Sequence, residues 1–149
     1  MLILIVYGIE IIERANKMDF NFNEDVETNK NCVNNKIKAN ILSDEEMRKI
    51  GFTDYSKENW YFCRGIDFSK NKKYKGADIT FSLTIPKNGS DICIDVLDED
   101  WCQPYDYQKM LYNNPKFECA LIVWNQVEDW MKYLEDNRII SGHVCGEYI

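Results

Sequence analysis

The stretch Asp78–Leu97, DITFSLTIPKNGSDICIDVL, decides the fold. Its centre, Asn88-Gly89, is the preferred pair for a two-residue type I′ hairpin turn, in which both central residues take φ > 0. Counting outward from that turn sets Ile85 opposite Ile92, Leu83 opposite Ile94 and Phe81 opposite Val96. Directly opposed residues of an antiparallel pair share a face, so these six apolar side chains line one side of the hairpin. Thr80, Ser82 and Thr84 line the other, opposite Leu97, Asp95 and Cys93. A one-residue slip would turn every apolar side chain to the wrong face, so alternation and turn chemistry select one register.

Upstream, Trp60–Phe68 (WYFCRGIDF) reads as a strand, with Trp60, Phe62, Ile66 and Phe68 on one face and Arg64 among them. A basic loop, Lys70–Lys75 (KNKKYK), leads through Gly76 into the hairpin. Strand, loop, strand, turn, strand predicts an antiparallel meander of three or more strands with one apolar face, and such a face must be covered. Two helices are predicted to cover it. The shorter starts at Pro104 as first helical residue and runs to Tyr112. The longer runs from Pro115, capped by Asn114, to Asp136, with Asn137 as its left-handed end. Phe117, Leu121, Trp124, Val127, Met131 and Leu134 recur at steps of three and four, which is one packed stripe. Glu118, Gln126, Asp129 and Lys132 are expected on the outer side. The tail after Ile139 is expected to dock on the sheet edge. The fold class is α+β.

Before the meander, Ser43 and Glu46 form a capping box for a short helix, and Gly51 is placed for its left-handed exit. Residues 1–42 are expected to be an arm or flexible segment, and 43–149 one domain. The stretch 18–42 is rich in Asn, Asp, Glu and Lys without a sustained apolar period. Met1–Ile12 (MLILIVYGIEII) is apolar but shorter than the ~20 residues of a bilayer span. It lacks a basic flank and a small-residue cleavage site, so a buried strand or helix turn is expected there.

With 149 residues, 45% hydrophobic and 13% aromatic, the chain can bury a core. A net charge of −7 argues against general affinity for nucleic-acid backbones and allows a basic protein partner. Neither direct nucleic-acid binding nor membrane insertion is expected; a homodimer is one assembly the composition allows. The six cysteines form no CxxC pair and are expected to be reduced thiols of a cytoplasmic protein.

Three features could carry chemistry. The first is the acidic and aromatic corner Asp98, Glu99, Asp100, Trp101, Tyr105 and Asp106, where a strand ends. Carboxylates there suit a basic partner. With Asp95 they also suggest a hard-cation site with Asp95, Asp98 and Asp100 as ligands, although no (D/E)-x-K companion completes it. The second is Arg64: a guanidinium on an apolar face must pair with a carboxylate, bind an anion, or be rotated outward by a bulge at Gly65. The third, His143-x-Cys145, is too small a fragment for a four-ligand zinc site or a nucleophile pair. Trp60, Tyr61, Trp101, Tyr105, Tyr107 and Tyr148 are interface candidates by residue type. No phosphate-binding glycine loop, GxSxG or HExxH occurs. No catalytic residue, metal ligand or cofactor is therefore assigned.

The stretches Asp95–Gln108 (DVLDEDWCQPYDYQ) and Ser141–Ile149 (SGHVCGEYI) resemble those of small uncharacterised proteins carried by phages and prophages of low-GC Gram-positive bacteria. The resemblance spans residues 43–149. It implies a context of inhibition of host machinery, including defence systems. The sequence thus predicts a non-enzymatic acidic binding protein, in that context an inhibitor of a host defence or nucleic-acid-handling complex. The alternatives are a metal-dependent phosphodiesterase or nuclease-like enzyme, and a protein that sequesters a small anionic nucleotide ligand through Arg64.

Overall fold

The computed structural model describes residues 37–144. In chain order these form β1 (Lys38–Ala39), α1 (Asp44–Ile50), β2 (Asn59–Gly65), β3 (Ile79–Pro86), β4 (Cys93–Asp98), β5 (Gln103–Pro104), α2 (Tyr107–Asn113), α3 (Glu118–Asp136) and β6 (Ile140–Ser141). A 3-10 turn at Lys72–Tyr74 interrupts the basic loop. Strands β2-β3-β4-β5 make an antiparallel meander in that order, and β1 and β6 pair as a separate two-stranded ribbon. This is the α+β class expected from the sequence.

The central register is the one predicted: Phe81 faces Val96, Leu83 faces Ile94 and Thr84 faces Cys93. The turn is different. Gly89 takes φ 80° but Asn88 does not take positive φ, so the turn is not type I′. Instead Gly89 N–H donates to Pro86 O at 3.2 Å, which centres the turn on Lys87-Asn88. The Asn88 side-chain oxygen accepts from Ser90 N–H. The cause is the alternation along β3 together with Pro86. Even-numbered residues at this edge of β3 turn their backbone groups toward β4, as Asp78 O does in accepting from Glu99 N–H at 2.9 Å. A two-residue turn at Asn88-Gly89 needs Lys87 and Ser90 as its hydrogen-bonded closing pair, an odd-numbered position that here faces β2. Pro86, which does face β4, has no N–H with which to extend the ladder. The ladder therefore ends at Thr84–Cys93, and a wider loop closes it.

The inward face carries Trp60, Phe62, Ile79, Phe81, Leu83, Ile85, Ile94 and Val96, all buried. Helix α3 covers it with Ala120, Val123, Trp124, Val127, Met131 and Leu134 in one continuous core. Trp130 and Tyr133 of α3 reach Phe62 of β2, with ring centroids 5.6 and 6.2 Å apart. The outward face (Thr80, Ser82, Thr84, Cys93, Asp95, Leu97) is partly exposed, as the alternation requires.

Several local expectations change. The second hairpin strand is followed by a fourth strand, so Pro104 lies in edge strand β5 and not in a helix. Helix α2 starts later, with the Asp106 side chain capping it by accepting from Lys109 N–H at 3.2 Å. Helix α3 begins at Glu118, so Phe117 is its cap residue and is 36% exposed. Asn114 instead accepts from Lys116 N–H. Gln126, expected on the outer side, clamps the backbone after β2: its side chain donates to Asp67 O and accepts from Asp67 N–H, both at 2.6 Å. That strand is shorter than expected, ending at Gly65, yet Ile66 and Phe68 remain buried. At the end of α3 the left-handed residue is Arg138 (φ 62°), not Asn137. Ile139 N–H donates to Leu134 O and Arg138 N–H to Glu135 O, which is the Schellman pattern with Arg138 at C′.

Helix α1 has the predicted capping box between Ser43 and Glu46 and the predicted left-handed Gly51. The ribbon corrects two further points. Ile37 is buried and Lys38–Ala39 pair with Ile140–Ser141, so residues 37–42 belong to the folded unit. The tail pairs with this segment and not with the sheet edge. The rest of the expected arm, residues 1–36 including the apolar start, and residues 145–149, with Cys145 and Tyr148, lie outside the described residues.

Candidate functional site

The acidic corner is a hairpin tip. Asp98 pairs with Gln103 and Leu97 with Pro104, leaving Glu99–Cys102 as the loop. The Asp98 side chain braces it by accepting from Asp100 N–H at 3.1 Å and Trp101 N–H at 3.4 Å, an Asx turn. Cys102 supplies the left-handed residue (φ 51°). Glu99 N–H donates to Asp78 O, which ties the tip to the start of β3. From this base Trp101 projects into solvent, 75% exposed. Glu99 and Asp100 beside it are exposed too. The tip stands at the same end of the sheet as the basic loop, because β2 ends, β3 starts and β4 ends there.

The other predicted members of the corner do structural tasks. Asp106 caps α2. Tyr105 lies half-buried, its hydroxyl donating to Cys119 Sγ at 3.2 Å. Burial, followed by the bond to the thiol and the charges of Cys119 and Asp98, pushes its phenol far above the ordinary tyrosine range. Exposed aromatic surface in this corner is therefore Trp101. Among the other aromatic candidates Trp60 and Tyr107 are core.

The carboxylates do not converge as cation ligands. Asp95 and Asp98 are three residues apart on a strand and point to opposite faces. Asp95 accepts from Cys93 Sγ, and Asp98 is turned to backbone amides. Among the described residues no group of three or more His, Cys, Asp or Glu is placed to hold a metal ion. His143 sits against Glu128, Nε2 to Oε2 at 2.9 Å.

Among the described residues Arg64 neither pairs with a carboxylate nor rotates outward. It remains on the apolar side, as alternation predicts, but at the rim. Its guanidinium lies 4.0 Å over the Phe62 ring and 5.4 Å from the Trp130 ring. Such stacking stabilises a cation that has lost part of its water. Nη1 donates to Cys63 O at 2.7 Å, a carbonyl on the free edge of β2. Among the described residues no carboxylate forms an ion pair with it. Gly51 makes the room, since a side chain there would run into Arg64 Nη2. A cleft of about 450 Å³ opens beside the guanidinium, bounded by Thr53, Ser56, Tyr61 and Cys63, with Tyr55 at the rim. Thr53 pairs with Tyr61 by two backbone bonds of 2.9 and 2.7 Å. The Tyr61 hydroxyl lies 3.0 Å from Ser56 Oγ and accepts from Asn59 Nδ2 at 3.1 Å. These two bonds, Ser56 first, hold its phenol below the ordinary range. Partial burial pushes the Cys63 thiol up, so it is a poor nucleophile at neutral pH. Thr53 and Ser56 carried no signal in the sequence; only the return of the loop after α1 brings them to β2.

A second basic group flanks this region. Asp54 Oδ2 is bound by Lys87 Nζ at 3.1 Å and Arg48 Nη2 at 3.3 Å. Both cations also lie over the Trp60 ring, at 4.4 and 5.6 Å.

No protein-family model and no curated protein matches the chain. Its fold is similar to the crystal structure of a DUF1831 family protein from Lactobacillus plantarum, with a TM-score of 0.50 and 12% sequence identity. The match covers 70% of this chain and 82% of that one. At this identity the likeness concerns the arrangement of elements alone. Among the described residues no helix is long and apolar enough to cross a membrane.

Proposed function

We propose that the protein is a non-enzymatic binding module whose β4–β5 tip engages a basic, partly apolar protein surface. The observation that carries this reading is Trp101, largely exposed on a turn whose amides are braced by the Asp98 carboxylate. A rigidly presented indole gives large contact area at little entropic cost, and tryptophan is a favoured anchor of interfaces. Asp98, Glu99 and Asp100 surround it with negative charge that steers a cationic partner and sets orientation. The net charge of −7 supports the same partner class at long range. The resemblance to phage-borne proteins supports a narrower form, an inhibitor of a host defence or nucleic-acid-handling complex.

The test is quantitative capture from host lysate on the immobilised full chain, beside Trp101→Ala and Asp100→Lys. A partner with a basic surface should be retained by the wild type, and each substitution should weaken it by about tenfold or more, the scale of one interface anchor. Retention should decline with salt but persist in part, because the indole contact is not screened. Equal retention by all three proteins, or no retained partner at low as well as physiological salt, overturns the proposal.

A further inference from the structure

We propose that the cleft on the free edge of β2 binds a small organic anion carrying a planar ring, about the size of a nucleoside monophosphate. This site is separate from the β4–β5 tip. Its centre is Arg64. The guanidinium offers five N–H donors in a planar fork suited to a bidentate oxyanion. Among the described residues it makes one hydrogen bond, to Cys63 O, and no ion pair. The Phe62 and Trp130 rings hold it in place from behind. A cation fixed by packing and left with donors is pre-organised for a ligand, because little is lost in ordering it on binding.

The walls extend that recognition. Three hydroxyl-bearing residues, Thr53, Ser56 and Tyr61, line the same cleft. Tyr61 and Ser56 are oriented by their mutual contact and by Asn59. Tyr55 stands at the rim, 87% exposed, where a planar ligand can stack on it. The volume, about 450 Å³, lies within the ~300–1,000 Å³ usual for small-molecule sites. An added peptide strand fits less well. Thr53 already occupies the edge groups of Tyr61, and Arg64 caps the Cys63 carbonyl where the strand would continue.

The experiment is an amide NMR titration of the full chain with AMP, phenyl phosphate, inorganic phosphate and adenosine. AMP and phenyl phosphate should produce saturable shifts at Gly51, Thr53, Ser56 and Tyr61. Inorganic phosphate should bind more weakly at the same amides, and adenosine should leave them in place. Arg64→Ala should raise Kd about tenfold or more, Arg64→Lys less, as expected for loss of a bidentate charged contact. Ser56→Ala, an exposed position, should weaken binding by a smaller factor and decides the matter if Arg64→Ala does not fold. Trp101→Ala should leave this binding unchanged, so the two surfaces are judged separately. The proposal is overturned if neither AMP nor phenyl phosphate moves these amides, if adenosine binds as well as AMP, or if folded Arg64→Ala or Ser56→Ala binds unchanged.

Discussion

Gly51 and Arg138 end their helices in the same backbone region for different reasons. Gly51 (φ 119°) is held by Schellman bonds from its own N–H to Arg48 O and from Phe52 N–H to Met47 O. It is also the place where Arg64 passes close to the backbone. Gly51→Ala should therefore cost about 1–3 kcal/mol, from left-handed strain and from displacing the guanidinium. Arg138 (φ 62°) bears the same strain with a Cβ present. Its carbonyl accepts from Asn40 Nδ2, a bond that glycine would keep. Arg138→Gly should stabilise by up to ~1 kcal/mol, since left-handed backbone costs a side-chain-bearing residue more than glycine. Denaturant midpoints of the two variants check the opposite signs. Gly51 was legible as a helix end from sequence because glycine announces φ > 0. Arg138 was not, because nothing in its residue type does, and the neighbouring Asn137 is the better left-handed former.

The central hairpin separates two things that its sequence joins. Register was legible because six buried side chains enforce it along the strands. Turn type was not, because it depends on whether Lys87 turns its backbone groups toward β4 or β2, and the pairing of β3 with β2 turns them toward Glu58. The observed turn makes a specific prediction. Gly89→Ala should cost about 1 kcal/mol for its positive φ, while Asn88→Ala should cost clearly less, losing an exposed bond to Ser90. In a type I′ turn the two costs would be comparable. Chemical denaturation of both variants distinguishes the turns, and equal losses would contradict the geometry described above. The second hairpin shows the limit more sharply. Pro104 is a good first residue for a helix, yet it is also acceptable on an edge strand where its missing N–H faces away from β4. Local preference allowed both, and pairing with Leu97 chose.

Across the whole molecule, acid and alkali act on different groups. Hydrogen bonds from Ser43 to Glu46, from Lys87 to Asp54 and from Ser69 to Asp67 hold these three carboxyls below their ordinary range. Their stabilisation is present above the unfolded values near pH 4 and is lost as pH falls through the folded ones. Tyr105 has the opposite sign. Its raised value gives stabilisation present below the unfolded value near pH 10 and lost as pH rises further. The melting temperature should thus be nearly level between roughly pH 5 and 8 and fall in acid. In alkali Cys63 and Tyr105 lower it, while Tyr61, whose phenol is held down, acts the other way. Glu46→Gln with Asp54→Asn should flatten the acid limb, and Tyr105→Phe the alkaline one. Melting curves across pH read this directly, and an alkaline limb unchanged in Tyr105→Phe would remove the phenol from the account.

The acidic corner was visible in the sequence as a cluster, but its members parted company in three dimensions. Asp106 went to a helix cap, Tyr105 to a half-buried bond with Cys119, and Trp101 alone among the aromatics there to solvent. The cleft at Arg64 was legible only as one misplaced cation. Its partners come from a loop, a strand edge and a helix that are distant in the chain.

By itself the sequence determined three strands of the meander, the register of β3 on β4, the capped helix and the covering α3. Each depends on short-range periodicity or a local cap, where burial and hydrogen bonding act on residues a few positions apart. Tertiary structure alone decided the turn at Pro86, the fourth strand, the ribbon of β1 with β6, and the surroundings of Trp101 and Arg64. Those depend on which backbone groups are left unpaired and which side chains are left uncovered once the sheet and α3 have come together.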